Sequence, residues 1–371
     1  MKRRHFIQIV NTLGFGSVLP APDATTQAAR CLVELTNSAM VNAKGVRNGF
    51  RVGVVGVGGA GGQILRAIAG TLPDNCRTVA INTDANSLRR LKADRKIRIS
   101  DIQDELVRSG FSRQVVVRRF ARSAIPEIAE AVAGLDMVFL LAGMGGVAGT
   151  VISPIVAQVT REQDIFTLGL PLLPFSFEGL RRNETARCGV RELGRHTHSS
   201  LPISSEVMAQ EAGDGATMND CWNQTAMVFR QIYRTVTNSV AANSNMSVDF
   251  EKVRSIVSHQ GYSAFGYGSA SGPNRTEAAV CKAIEHPLLG QRSLQQASSV
   301  LIAVEAAPQS PGLDEKKVII SHLRKILAPE ASVIYSATPE LTGSNDLRVS
   351  VLVSGIRDAR ALMGKNPLRH V

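Results

Sequence analysis

Residues 136–150 run D-M-V-F-L-L-A-G-M-G-G-V-A-G-T. The first six are an apolar run too compact for a typical helix, which predicts a short strand buried on both faces. The run opens into Ala142-Gly143-Met144-Gly145-Gly146, where missing Cβ atoms let backbone N–H groups approach an anion. A helix expected to start near Gly149 would point its positive end at that anion. Strand, glycine loop and helix together predict a phosphate cradle. For a single loop of this kind the alternative is a tight strand-to-helix turn with no ligand.

A second loop precedes it. Residues 51–56 read as another buried strand, followed directly by Gly56-Val57-Gly58-Gly59-Ala60-Gly61-Gly62, a helix over 63–71 and a strand over 78–82. That strand ends in Asn82-Thr83-Asp84-Ala85-Asn86. Alone, Gly56-x-Gly58-x-x-Gly61 with Asp84 after the second strand matches the dinucleotide fingerprint, so a nicotinamide or flavin oxidoreductase is the enzyme alternative. It leaves the loop at 143–149 unexplained. Two glycine loops at one edge of a parallel sheet can instead grip both ends of a triphosphate.

Composition narrows the class. A chain of 371 residues has room for two domains, and 44% hydrophobic with 20% charged residues describes a globular protein. The net charge of +11 favours anionic partners: phosphate groups, acidic lipid or nucleic acid. Cys31, Cys76, Cys188, Cys221 and Cys281 are scattered, odd in number and without a C-x-x-C pair, which predicts reduced thiols in the cytoplasm and no zinc site. No apolar run is long enough to cross a bilayer. His196-x-His198 is expected to be an exposed pair near a helix end, and no metal ligand set is expected.

The first 48 residues read as an extension outside the core. Lys2-Arg3-Arg4-His5 precedes Phe6, Ile9, Val10 and Leu13 at helical spacing, with Gly14, Gly16 and Pro20 limiting any helix to about three turns. Three readings fit: a twin-arginine export signal interrupted by Gln8 and Asn11, a short amphipathic membrane anchor, or a disordered tail.

At this point the residues carry a resemblance. R-V-G-V-V-G-V-G-G-A-G-G at 51–62, A-I-N-T-D-A-N-S-L at 80–88 and the run at 136–150 resemble the FtsZ/tubulin family. Pro174-Phe175-Ser176-Phe177-Glu178-Gly179-Leu180-Arg181-Arg182, Val248-Asp249-Phe250 and His286-Pro287-Leu288-Leu289 continue its order over about residues 50 to 355. The resemblance implies an α/β fold: a Rossmann-like parallel-sheet GTPase domain joined by a central helix to a smaller α+β C-terminal domain. The expected spans are 49–218, 219–242 and 243–355, with a basic tail over 356–371 that lacks the family's adaptor-binding peptide.

It further implies GTP or GDP as ligand, with Mg2+ as an accompanying ion, and head-to-tail self-assembly. Gly58, Gly59, Ala60, Gly61 and Gly62 would hold phosphates, as would Gly143, Met144, Gly145, Gly146, Gly149 and Thr150, with Asn82 and Asp84 beside them. Glu178 and Arg182 fall where the family contacts ribose and base, though an i, i+4 ion pair is their structural alternative. Trp222 falls at the base-stacking position, or else is a core tryptophan. Asp249 would orient the attacking water in the neighbouring subunit's site.

Departures from the family pattern shape the functional expectation. Val147 and Ala148 stand where the family has hydroxyl-bearing or small residues, and Ser109-Gly110-Phe111-Ser112-Arg113-Gln114 replaces another phosphate loop, with Arg113 able to offer charge to a terminal phosphate. Met227 stands where an acid reads the guanine edge, and Lys252 replaces the second acid of the catalytic loop. Slow or absent hydrolysis is therefore expected, since an ammonium is a poor proton acceptor at neutral pH. The combined expectation is a divergent filament-forming GTP-binding protein in the cytoplasm. Its basic N-terminus would contact acidic lipid at the inner membrane face, and nucleic acid is not an expected partner. An active division-ring GTPase and a non-polymerising nucleotide-binding protein are the alternatives.

Overall fold

A computed structural model describes residues 50–99, 111–240, 250–258, 261–306, 312–339 and 346–357. Residues 1–48, Asp249, expected to orient the attacking water, and most of the basic tail lie outside that set. Cys31, Ser109 and Gly110 do so as well.

The chain first alternates strand and helix. β1 (Val52–Val57) leads into α1 (Gly58–Ile68), then β2 (Arg77–Asn82), α2 (Ala85–Arg89) and β3 (Arg95–Arg98). Two helices follow, α3 (Arg113–Ser123) and α4 (Ile125–Val132), before β4 (Met137–Gly143), α5 (Val147–Glu162) and β5 (Phe166–Leu173). A 3-10 turn (Ser176–Glu178) precedes α6 (Leu180–His196), the short strands β6 (Ser199–Ser200) and β7 (Ile203–Ser204), and α7 (Ser205–Ala212). β1, β2, β4 and β5 pair in parallel, and β1, β4 and β5 are buried along nearly their whole length. That is why their sequences read as continuous apolar runs.

Side chains alternate between two cores. Val54, Phe139 and Leu141 pack with Ile64, Leu65 and Ile68 of α1 on one face. Val55, Val138 and Leu140 pack on the other with Val116 of α3, Ile128 of α4, Ile152 of α5 and Val190 of α6. The strand period of two thus divides one apolar run between two helix layers.

α8 (Met218–Val240) crosses the first face. Its Phe229 meets Phe139 edge-on at 5.7 Å, and Tyr233 lies 5.4 Å from the same ring. Next come α9 (Phe250–Val257), β8 (Tyr262–Ala270), α10 (Arg275–Glu285), α11 (Gln291–Gln296), β9 (Ser299–Ala306), α12 (Leu313–Arg324), β10 (Ser332–Pro339) and β11 (Leu347–Ile356). β11 pairs antiparallel with both β8 and β9, and β10 pairs parallel with β9. A single register pair, Ser200 with Tyr262, joins this part to the parallel strands, so the sheet is eleven-stranded and continuous. Glu305 on β9 takes Arg234 of α8 at 2.7 Å and Arg348 of β11 at 2.8 Å, tying the central helix to the second half.

Two expectations need correction. The glycine and serine content of 266–275 reads in the sequence as a turn region, yet its first half belongs to β8. A Cβ on Gly266 would overlap the Ala283 carbonyl oxygen, and one on Gly268 that of Ala279. These glycines let α10 lie directly on the strand. The expected exposed histidine pair also divides: His196 ends α6, whereas His198 is half-buried, packs at a tilt on Phe166 at 5.1 Å and accepts the Thr167 N–H at Nδ1 (3.0 Å).

Candidate functional site

β1 and β4 are adjacent and parallel, so the loops at their carboxyl ends emerge side by side. α1 begins directly after β1, with Gly58 at φ +73°, a conformation that suits glycine, and no side chain caps it. α5 begins at Val147, two residues earlier than expected, again without a side-chain cap. The first-turn amides of both helices are left without side-chain acceptors at one end of the sheet.

Between them lies a cavity of about 400 Å³. Its floor is Gly59 and Ala60 from the first loop and Gly143, Met144, Gly146, Val147, Ala148 and Gly149 from the second. A Cβ on Gly59 or Gly146 would meet nothing within 4 Å, so backbone here faces open space. Glu178, Arg182 and Ser205 also line it, as do Met218 and Trp222, one helical turn apart on α8. Thr83 and Arg113 complete the polar lining.

The remaining residues expected at the site shape it from behind. Gly58 packs against the second loop, where a Cβ would come within 3.1 Å of the Gly149 nitrogen. Gly61 and Gly62 allow α1 to close on Leu141 and Leu91. Gly145 donates its N–H to Thr150 Oγ1 at 2.9 Å, a bond that holds the loop in shape. Asn82 is buried, and its Oδ1 accepts from Thr83 N (2.8 Å) and Asp84 N (3.3 Å). Asp84 caps α2, accepting from Asn86 N (2.9 Å) and Ser87 Oγ (2.6 Å), bonds that hold its carboxyl below its ordinary value. Thr83, between them, is the one that reaches the cavity lining.

Glu178 and Arg182 form the ion pair named as their structural alternative, and they do so at the cavity. They pair at 2.9 Å, i to i+4, and both line the cavity. Glu178 Oε1 also accepts the Phe175 N–H at 2.8 Å, which closes the 3-10 turn. Trp222 lines the cavity while packing partly on the core. Met227 is 43% exposed and is absent from the lining. Met218, missed in the sequence, was findable as the residue one turn before Trp222. Ser205 was not, because α7 reaches the wall only through the pairing of β7 with β5.

Of the expected catalytic loop, Glu251 and Lys252 are described, both exposed on α9, with Glu251 3.9 Å from Arg254. Among the described residues no group of three or more His, Cys, Asp or Glu is placed to hold a metal ion, and no helix is long and apolar enough to cross a membrane.

Parallel strands, paired glycine loops in contact and a ring-flanked cavity at the carboxyl edge define an α/β protein of the two-loop kind. The comparisons give the family. The model for the Tubulin/FtsZ family GTPase domain matches residues 51–213, and that for the FtsZ family C-terminal domain matches 261–357. The cell division protein FtsZ of Buchnera aphidicola subsp. Schizaphis graminum is 31% identical over 324 residues, covering 87% of this chain and 81% of that protein. FtsZ of Caulobacter vibrioides is 31% identical over 83% of this chain and 60% of its own. Among solved structures, the FtsZ dimer (empty) of M. jannaschii superposes with a TM-score of 0.73 at 25% identity, covering 95% and 99% of the two chains. CetZ2 from Haloferax volcanii shares the fold, with a TM-score of 0.65 at 19% identity, over 85% and 96%. The chain belongs to the tubulin/FtsZ family.

Proposed function

We propose that the chain binds GTP or GDP in the 400 Å³ cavity, assembles head to tail into filaments, and hydrolyses GTP slowly. The carrying observation is the open backbone at Gly59 and Gly146 on two uncapped helix starts, facing Trp222 and the Glu178–Arg182 pair across one cavity. The volume lies in the range of small-molecule sites. Backbone N–H groups would take phosphate oxygens, the Trp222 ring would stack on the base, and the Glu178 carboxylate would accept from a ribose hydroxyl. With hydroxyls at Thr83 and Ser205 and no acidic cluster among the described residues, an accompanying Mg2+ would be held chiefly by phosphate and water. In this reading 49–218 is the nucleotide domain, 219–242 the central helix and 243–355 the second domain.

Head-to-tail assembly is supported by the likeness to the M. jannaschii FtsZ dimer. Slow turnover is supported by Lys252, an exposed ammonium where the family pattern has an acid, and by Glu251 lying toward Arg254. Asp249 then acts as the one carboxylate offered to the neighbouring subunit. A peripheral contact with acidic lipid at the inner membrane face is supported by the basic 1–20 segment and by a second depression. At the β3 edge of the sheet, Arg89, Lys96 and Arg98 line about 530 Å³ with no carboxylate among them.

Nucleotide content of the freshly purified chain, read by chromatography after denaturation, tests the cavity. Guanine nucleotide near one per chain is expected, and a pocket that neither carries nor takes up nucleotide overturns the reading. Sedimentation with GTP tests assembly, and Lys252→Asp tests turnover, which should rise in the variant. Ordinary family turnover in the unmodified chain would sink the slow-hydrolysis part alone.

A further inference from the structure

β3 ends the strand order of the sheet and pairs with β2 alone among the described residues. Its side chains alternate between two faces. Arg95 and Ile97 face α4, where Arg95 pairs with Glu130 at 2.7 Å and Ile97 joins the core around Ile128. Lys96 and Arg98 take the opposite face, about 7 Å apart along the strand. α2, which follows β2 and packs Leu88 into the other core, brings Arg89 to that face. Arg89, Lys96 and Arg98, with Ala85 and Leu88, line a depression of about 530 Å³, and none of these five residues is acidic.

The three cations are exposed and uncompensated. Lys96 and Arg98 make no hydrogen bond or ion pair among the described residues. Arg89 donates to a neutral acceptor, Asn86 Oδ1, at 2.5 Å. The acids close to them in sequence are committed elsewhere. Asp94 accepts from Thr78 N and Oγ1 at 2.7 and 2.8 Å, and Asp84 caps α2 through Asn86 N and Ser87 Oγ. Three like charges around one depression repel each other until an anion joins them. A singly charged group leaves most of that repulsion in place. A phosphate with two negative charges offsets more of it, and a guanidinium fork can bond two of its oxygens at once.

We propose that this depression is a second anion site, separate from the glycine-loop cavity, for a phosphate group carrying two negative charges: a phosphomonoester or two adjoining phosphates. A lipid headgroup is one source of that group, and on this side the inference rests on the proposed contact with acidic lipid. A soluble phosphate compound is the other source. The two loops and Trp222 take no part in it.

The test compares the full chain with the double variant Lys96→Ala/Arg98→Ala and with Arg98→Lys. Sedimentation is measured with phosphatidylcholine vesicles carrying either phosphatidate or phosphatidylglycerol, adjusted to equal surface charge. Calorimetry with inorganic pyrophosphate supplies the soluble arm, and the binding that the double variant loses belongs to the depression. The unmodified chain should prefer phosphatidate about tenfold, the range for hydrogen bonds to a charged group, and the double variant should show no preference. Arg98→Lys keeps the charge without the fork, so it should lose most of the preference while holding phosphatidylglycerol vesicles within about twofold. Because all three side chains are exposed, melting temperatures should match the parent. Pyrophosphate binding lost in the double variant, with no vesicle preference in the parent, keeps the site and assigns it to a soluble phosphate. A parent that binds both vesicles equally, together with pyrophosphate binding unchanged in the double variant, overturns the site. If that parent still binds acidic vesicles, the lipid contact survives on the basic 1–20 segment alone.

Discussion

A Cβ built on Gly143 would lie 2.6 Å from the Ala60 methyl group, so the two glycine loops touch and neither can widen without moving the other. On the far side of the contact, a Cβ on Gly149 would overlap the Gly143 carbonyl oxygen. Gly143→Ala is thus expected to cost about 1–3 kcal/mol by overpacking and to lower nucleotide affinity, since both cradle halves shift together. Denaturant unfolding and nucleotide binding, measured on one preparation, check the two effects. A variant that is destabilised yet binds normally would show that the loops move independently.

Glu178 serves the turn and the cavity at once, through Phe175 N at 2.8 Å and Arg182 Nε at 2.9 Å. Glu178→Ala is expected to weaken guanine nucleotide about tenfold, with a melting temperature within a few degrees of the parent. Glu178→Gln keeps an acceptor oxygen and should fall between them. If alanine and glutamine variants bind as the parent does, the pair is a surface ion pair and nothing more.

Gly266 and Gly268 let the α10 backbone lie on β8. Gly266→Ala is expected to destabilise the chain by about 1–3 kcal/mol, although the position looks permissive in the sequence. Hydrogen exchange of β8 and β11 amides should rise before that of β1 and β4. Equal effects on both groups would mean that the sheet opens as one cooperative unit.

His198 accepts the Thr167 N–H at Nδ1, which requires a neutral ring. Burial, with Arg254 and Arg161 nearby, lowers its value to about 4. The unfolded chain, titrating near 6.5, takes up a proton the folded chain refuses. The stability contributed is therefore complete above about pH 6.5 and is lost as pH falls toward 4. His286, also lowered to about 4 by burial, acts in the same direction. Melting temperature should drop between pH 7 and 5, and His198→Asn, which keeps an acceptor without a titrating ring, should drop less. A variant as acid-sensitive as the parent would place the effect elsewhere.

Local chemistry made much of the site legible. The strand ends, the glycine loops, Trp222 and the Glu178–Arg182 pair all sit within short motifs, and all line the cavity or pack behind it. Glu178 is ion-paired at the cavity lining, and Trp222 belongs partly to the core and partly to the lining. The misreadings share a cause. Gly266 and Gly268 resemble turn residues until α10 is laid over them, and His198 resembles a surface residue until Phe166 packs on it.

Apolar runs and glycine placement along the chain were enough to set the buried strands and the helix that follows each loop, because those features depend on neighbours within a few residues, whereas the central helix came with the family resemblance. Which glycines face open space and which face another backbone depended on how distant segments meet. So did the arrival of Ser205 and Met218 at the cavity. Burial and pairing are set by residues far apart in the chain and close in space, and no window of sequence contains both partners.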